Sequence, residues 1–356
     1  MTEQAAASET QLEREAEFMS RIKTRNLTPL WANRRGVDLS RPASTAIPAL
    51  WRYGDIRPDV AEAGEIIAAE DAFRRVLVLE NPSYPGEMRV TNTLYAGLQL
   101  VLPGEIAPCH RHSQTALRFI VEGEGAFTSV DGERAWMQPG DFIVTPQGSW
   151  HDHANEGDGP VVWLDVLDTP LVGFLDTVFR ENYPAPRQQI SVPDGTSPAR
   201  FGANMMPVGY DHKRPATPVF HYPYKKSRAA LLALAAAGPV DPCQGLRLQY
   251  VNPANGDHAT ATIGAFLQYL PGGFRGKISR TTEGLLFCAV EGHGRVVTDE
   301  AVFEWGPQDL VVVPGWHSFR LEADDDAILF SASDRPVQEK LGLLREDRFE
   351  DVKDQQ

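Results

Sequence analysis

The chain has 356 residues with 34 Lys and Arg against 48 Asp and Glu, a net charge of −14, 42% hydrophobic and 23% charged residues. This is the composition of a folded globule rather than a disordered chain, and the acidic balance excludes nucleic acid or an anionic membrane, which are bound through Lys and Arg clusters that the sequence lacks. The expected ligand is a small molecule, and the length exceeds the roughly 250 to 300 residues at which single cores stop growing, so two domains are expected.

Three cysteines, Cys109, Cys243 and Cys288, form no CxxC pair, which argues against a disulfide framework and a cysteine zinc site and fits a reducing cytoplasm. The start, MTEQAAASETQLEREAEF, lacks the basic region and apolar core of an export signal. The most apolar stretch, Ala229 to Ala237, is far shorter than the roughly 20 residues of a membrane helix.

In chain order, residues 10–25 predict a helix, with Thr10 and Glu13 spaced as a capping box and Leu12, Phe18 and Ile22 along one side. Pro29, Trp31, Pro42, Pro48 and Trp51 mark an irregular wrapping segment through Arg57, so residues 1–72 read as an N-terminal arm. Residues 73–170 carry short β-branched and aromatic runs broken by Gly, Pro and Asp, with Asp131-Gly132 as a two-residue hairpin turn: an all-β barrel or sandwich. Residues 171–260 lose that rhythm and read as a linker with a helix at Ser227–Ala237; 261–345 regain it, and 346–356 form a polar tail.

The return is an internal repeat. Val121-Glu122-Gly123-Glu124-Gly125 reappears as Val290-Glu291-Gly292-His293-Gly294, Gly140-Asp141 as Gln308-Asp309 and Pro146 as Pro314, at a separation of about 168 residues, which implies two copies of one barrel.

The chemistry gathers in the first copy. His110 and His112 are two apart, as are His151 and His153, so each pair leaves one face of a strand and the two pairs can converge on one ion. A lone histidine is more often a satisfied core or surface group; two such pairs favour a metal site. The surrounding blocks are Gly104, five residues, His110-Arg111-His112, three residues, Ala116, six residues, Gly123; and Gly140, five residues, Pro146-Gln147-Gly148, two residues, His151, three residues, Asn155.

These blocks resemble the two motifs of the cupins, and the stretch from TLYAGLQLVLPGE to VVWLDVLDTP is similar to the gentisate 1,2-dioxygenase family, which includes salicylate and 1-hydroxy-2-naphthoate enzymes. The resemblance implies a mainly all-β double-stranded β-helix bicupin, two jelly-roll barrels with an N-terminal helical arm and a short helix-containing linker. It implies one Fe(II) per subunit in the N-terminal barrel, a homotetramer, and O2-dependent cleavage between the carboxyl- and hydroxyl-bearing ring carbons, from gentisate to maleylpyruvate. Ala116 replaces the glutamate ligand of most metal cupins, leaving His110, His112 and His151 and three positions for a bidentate substrate and O2; zinc, manganese and nickel share such ligands.

Residue by residue, the resemblance implies that His153 bonds the substrate hydroxyl and reduced oxygen as proton donor, that Arg118, catalytic with it, binds the substrate carboxylate in a charge-assisted pair, that Arg74 also binds substrate, and that Gln99 and Asp165 are polar substrate-binding positions, Asp165 also orienting a His or Arg. Arg74 and Arg75 are adjacent, so on a strand only one faces inward, and the family pattern selects Arg74 with Val76 beside it. Tyr95 resembles gentisate enzymes and Gly97 salicylate enzymes at the pocket wall, so a 5-amino, 5-nitro or 5-halo salicylate is the alternative substrate. In the second copy Ser279, Arg280 and Thr281 stand where a histidine pair belongs, leaving His317 alone: a structural copy. His212, His221, His258 and His293 read as structural. A binding cupin without catalysis and a cupin sugar isomerase are the other classes; the isomerase would keep the glutamate that Ala116 replaces.

Overall fold

The computed structural model describes residues 3–32, 40–68, 74–202 and 204–348. The stretch 33–39 of the wrapping segment, the expected start of the first barrel at 73, and residues 349–356 of the polar tail lie outside them. The chain divides into two compact units, Met1–Pro42 and Ala43–Gln356. The first holds a helix, Glu3–Lys23, and a helical turn, Leu30–Ala32, with Phe18 stacked on Trp31 at 6.5 Å. The helix starts earlier than the Thr10 capping box predicts, because Ala5-Ala6-Ala7 continues it toward the N-terminus.

The second unit is two barrels of antiparallel sheets. In the first, a six-stranded sheet runs His221–Tyr222, Phe142–Thr145, Ala116–Glu122, Val161–Leu167, Tyr95–Val101, Val76–Val78. It faces a five-stranded sheet of Arg180–Asn182, Ile106–His112, His151–Asn155, Ala126–Val130, Glu133–Trp136. The Asp131-Gly132 turn joins the last two strands as expected, with both residues at positive φ. The second barrel repeats this plan, and its six-stranded sheet packs on that of the first through one apolar core in which Phe119 stacks on Phe330 at 4.2 Å.

The repeat extends beyond the barrels into segments that sequence patterning leaves irregular. Ala49–Trp51 adds an edge strand to the second barrel, and the helix Tyr53–Ile66 follows it. His221–Tyr222 adds an edge strand to the first barrel, and the helix Tyr224–Ala235 follows. Each helix start is held by the barrel that its strand joined: the Tyr53 amide donates to Asp309 (2.8 Å) and the Tyr224 amide to Asp141 (2.8 Å). Each helix then reaches the other barrel, Arg57 donating to Glu122 (2.6 Å) and Arg228 to Glu291 (2.7 Å). The second helix thus begins three residues before the expected Ser227, since an aspartate from another element supplies the acceptor that the local sequence lacks. Even the backbone is repeated: Gln308 holds φ at 74° where Gly140 has 85°.

Two reciprocal latches join the barrels. Asp168 accepts from the Thr115 amide (2.9 Å) and the Thr262 hydroxyl (2.6 Å); Asp334 accepts from the Gly284 amide (2.9 Å) and the Thr93 hydroxyl (2.9 Å). Burial pushes the Asp168 carboxyl up to about 6 against these hydrogen bonds. A carboxyl raised on folding penalises the folded state once ionised, so its contribution declines as pH rises through the window from the unfolded value to about 6. Asp168→Asn is therefore expected to gain up to about 3 kcal/mol relative to wild type between pH 4 and pH 7, read by urea unfolding at both pH values. An unchanged difference would mean that Asp168 does not titrate there.

The barrels differ inside. The second is filled by Leu285, Phe287, Val311, Val313, Phe319 and Leu321 among others, a packed core. Its strand Phe319–Ala323 occupies the place of His151–Asn155, so Phe319, not His317, stands where His151 stands. His317 lies on the preceding loop, bonded to the Ala46 carbonyl at 3.2 Å. The first barrel has a smaller apolar cluster and buries His110, His112, His151, His153, Arg118, Asp165 and Gln99 instead.

Candidate metal and substrate site

Strand alternation sorts the side chains. On Ile106–His112, His110 and His112 point into the barrel while Arg111 pairs outside with Glu181 and lies over the Trp150 ring at 4.7 Å. On His151–Asn155, His151 and His153 point in and Asp152 accepts from the Gln188 amide at 3.0 Å. The ligand atoms of His110, His112 and His151 all lie within 4.8 Å of one another, and all three rings are buried.

The backbone sets their tautomer. Each Nδ1 meets a main-chain carbonyl: His110 that of Pro108 (2.7 Å), His112 that of Gln114 (2.9 Å), His151 that of Ser149 (3.0 Å). A carbonyl only accepts, so each Nδ1 carries the proton and each Nε2 turns a lone pair toward the other two. Burial, with Arg74 adding to it, lowers His110 to about 2 and His112 to about 3, and burial holds His151 well below its ordinary value. Three neutral imidazoles with converging lone pairs are a ligand set for a divalent ion. The Nε2 of His112 is buried without a partner, and the Arg74 guanidinium donates to Nε2 of His110 and, at 3.2 Å, of His151. A cation already sits against these lone pairs, which fits the site to a metal.

Arg74 precedes the strand Val76–Val78 rather than lying on it. Arg75 turns away to Glu105 and, at 3.0 Å, to the Ile67 carbonyl. Behind the histidines, Asp165 pairs across the sheet with Arg118 on one side and Gly97 on the other. The Arg118 Nε to Asp165 Oδ1 distance is 3.3 Å with both fully enclosed, and Arg118 donates to the Thr145 hydroxyl at 2.5 Å. Gln99 is buried with its Oε1 unpartnered. His153 bonds Thr128 Oγ1 through Nδ1 at 2.8 Å, and its buried Nε2 has no partner; burial, with Arg118 and Arg74, keeps its ring neutral.

A cavity of about 560 Å³ opens at Arg74 and is lined by Val76, Val78, Glu87, Met88, Arg89, Tyr95, Asp165, Leu167, Thr169 and Pro170. Of the residues expected to meet substrate, Arg74, Tyr95 and Asp165 line it, whereas Gly97, Gln99 and Arg118 do not. Gly97 shapes the wall from behind: a Cβ there would lie 2.5 Å from Val76 Cγ1 and 3.2 Å from the Tyr95 hydroxyl oxygen. Glu87, Met88 and Arg89 were not foreseen, because they sit on a turn with no periodic pattern, where Pro85-Gly86 signals only a change of direction. His212, His221, His258 and His293 each bond a carbonyl or a carboxylate away from the site.

A buried three-histidine centre in one of two double-sheet barrels defines a cupin of the metal-binding kind, and residues 97–167 match the Cupin domain family. The chain is 49% identical over 332 residues to gentisate 1,2 dioxygenase 1 of Aquipseudomonas alcaligenes, covering 93% of this chain and 96% of that one. It is 35% identical over 330 residues to a 5-aminosalicylate 1,2-dioxygenase of a Comamonas species, covering 91% and 87%. The crystal structure of salicylate 1,2-dioxygenase from Pseudaminobacter salicylatoxidans matches with a TM-score of 0.88 at 29% identity, over 94% of this chain and 97% of that one. The chain belongs to the gentisate 1,2-dioxygenase family of ring-cleaving dioxygenases.

Proposed function

We propose that the chain cleaves gentisate to maleylpyruvate, with Fe(II) held by His110, His112 and His151. The observation that carries this reading is the convergence of three buried Nε2 lone pairs, two of them bonded to Arg74, a residue that lines the cavity. Bound there, Fe(II) would supply the chelation of the substrate's carboxylate and neighbouring phenolate and the one-electron chemistry that lets O2 react with a ring. The protein's own part is positioning. Arg74 binds the carboxylate in a charge-assisted pair. Asp165 and Arg118 hold one another and the Tyr95 strand in register, and the apolar walls Val76, Val78 and Leu167 exclude water beside the reacting ring.

His153 manages the proton. The Thr128 hydroxyl can donate to or accept from Nδ1, so either tautomer is satisfied and the proton can sit on the unpartnered Nε2. His153→Gln is expected to keep its metal and lose about 100-fold in kcat, the lower end of what a positioned acid or base contributes; full activity would remove His153 from the mechanism.

A second reading, cleavage of a salicylate with an amino, nitro or halogen group at position 5, is favoured by Gly97, which leaves the wall beside the Tyr95 hydroxyl without a side chain. Three free, buried cysteines support a reducing cytoplasm, and no described helix is long and apolar enough to cross a membrane. Exposed Phe174, Leu175, Val178 and Phe179 support a homo-oligomer, a tetramer as in the expectation above. The deciding experiment is oxygen uptake by Fe(II)-loaded protein offered gentisate, salicylate and 5-amino, 5-chloro and 5-nitro salicylate. Stoichiometric uptake with gentisate foremost is expected; none with any compound, despite bound iron, would leave a binding cupin.

A further inference from the structure

The cavity has a direction. Its inner end is Arg74, half-buried and bonded to His110 and His151, and its outer end is the turn Glu87-Met88-Arg89, where Met88 is 61% exposed. A 2-hydroxybenzoate anchored at the inner end by its carboxylate and neighbouring oxygen turns the opposite edge of the ring, the edge carrying positions 4 and 5, toward that turn. A 5-substituent therefore faces residues 87–89.

The turn is built rather than loose. Glu80 accepts from the Met88 amide at 2.8 Å, and further backbone amides at Gly86 and Glu87 hold its carboxyl below the ordinary value. Asn81 ties both flanks, taking the Arg89 carbonyl on its amide (2.9 Å) and donating its side chain to the Val90 carbonyl (3.2 Å). Met88 is thereby kept at φ 50°, a left-handed conformation that a methionine does not adopt unaided. The Arg89 guanidinium lies 3.8 Å over the Tyr84 ring and pairs with Glu87 Oε2 at 2.5 Å. Glu87 Oε1 makes no hydrogen bond among the described residues, so the outer end of the cavity offers an acceptor.

Resting on the ring-cleaving reading above, we propose that Glu87 is a specificity-determining residue that selects substrates by the group at ring position 5, favouring hydrogen-bond donors such as hydroxyl and amino over halogen and nitro. A carboxylate can accept from the first two and has nothing to accept from the last two. Because half of the Glu87 side chain is in solvent, the discrimination is expected to be about tenfold, the lower end for a hydrogen bond to a charged acceptor.

The test is kcat/KM of Fe(II)-loaded wild type, Glu87→Ala and Glu87→Gln on gentisate and 5-chlorosalicylate, with iron content measured for each. In Glu87→Ala the preference for gentisate should fall about tenfold with 5-chlorosalicylate turnover retained, while Glu87→Gln, which keeps an acceptor oxygen, should retain part of the preference. An unchanged ratio in Glu87→Ala, or an equal loss on both substrates, would overturn the proposal. Wild type that cleaves neither compound would instead sink the ring-cleaving reading, so the two failures are distinguishable.

Discussion

His112→Ala is expected to purify folded, with little bound iron and no measurable oxygen uptake. The ring contributes one of three Nε2 lone pairs, and its Nε2 is the one with no protein partner. Changing a residue that only hydrogen-bonds a ligand costs about 10- to 100-fold in metal affinity, so removing a ligand should exceed that range. A readout independent of turnover is available. An ion that binds only the folded state raises stability, by about 4 kcal/mol at a thousand times its dissociation constant, so Fe(II) should raise the melting temperature of wild type and leave that of His112→Ala unmoved. Equal shifts in both would mean that the metal binds elsewhere. Gln at position 112 would not rescue, since an amide lacks the imidazole lone pair that the Gln114 carbonyl fixes in place.

The second large effect concerns stability. Burial lowers Arg118 to about 10 despite Asp165, and burial raises Asp165 despite Arg118. Both partners are pushed toward neutrality, so desolvation outweighs their attraction and the pair is not present for the stability it adds. Removing one partner is nonetheless severe, because the other charge stays buried. Asp165→Ala is expected to lose about 3–5 kcal/mol in urea unfolding, with Arg118 stranded behind the histidines. The double variant Arg118→Met, Asp165→Leu should recover most of that stability, since an apolar pair of similar volume is close to neutral, and yet fail to restore oxygen uptake. If the double variant were active, the pair would be scaffolding alone; if it stayed as unstable as the single variant, packing rather than charge would be the cause.

The histidine cluster was legible because strand alternation converts an i,i+2 spacing into a shared face, and four histidines in two such pairs leave little freedom in where they meet. The row of Arg118, Asp165 and Gly97 across the sheet comes from the register between strands, which alternation within one strand does not fix. Alternation did not sort Arg74 from Arg75 either, which lie off the strand and are separated by what each reaches, the histidines or Glu105. The strap helix Tyr53–Ile66 was illegible for a related reason. It contains Gly54, Pro58 and Gly64, and the carboxylate that holds its first turn comes from Asp309 of the second barrel, far along the chain.

By itself, then, the sequence determined two β barrels and a three-histidine cluster in the first that could hold a metal, since these rest on local period, turn chemistry and ligand spacing. Tertiary structure alone decided that each barrel borrows an edge strand from the segment preceding the other, while the helix that follows the strand packs on its own barrel. It alone decided that Phe319 closes the second barrel, and that Glu87, Met88 and Arg89 face Arg74 across one cavity. Those facts depend on side chains meeting from distant parts of the chain, and no pattern within a strand or turn records which partner will be there.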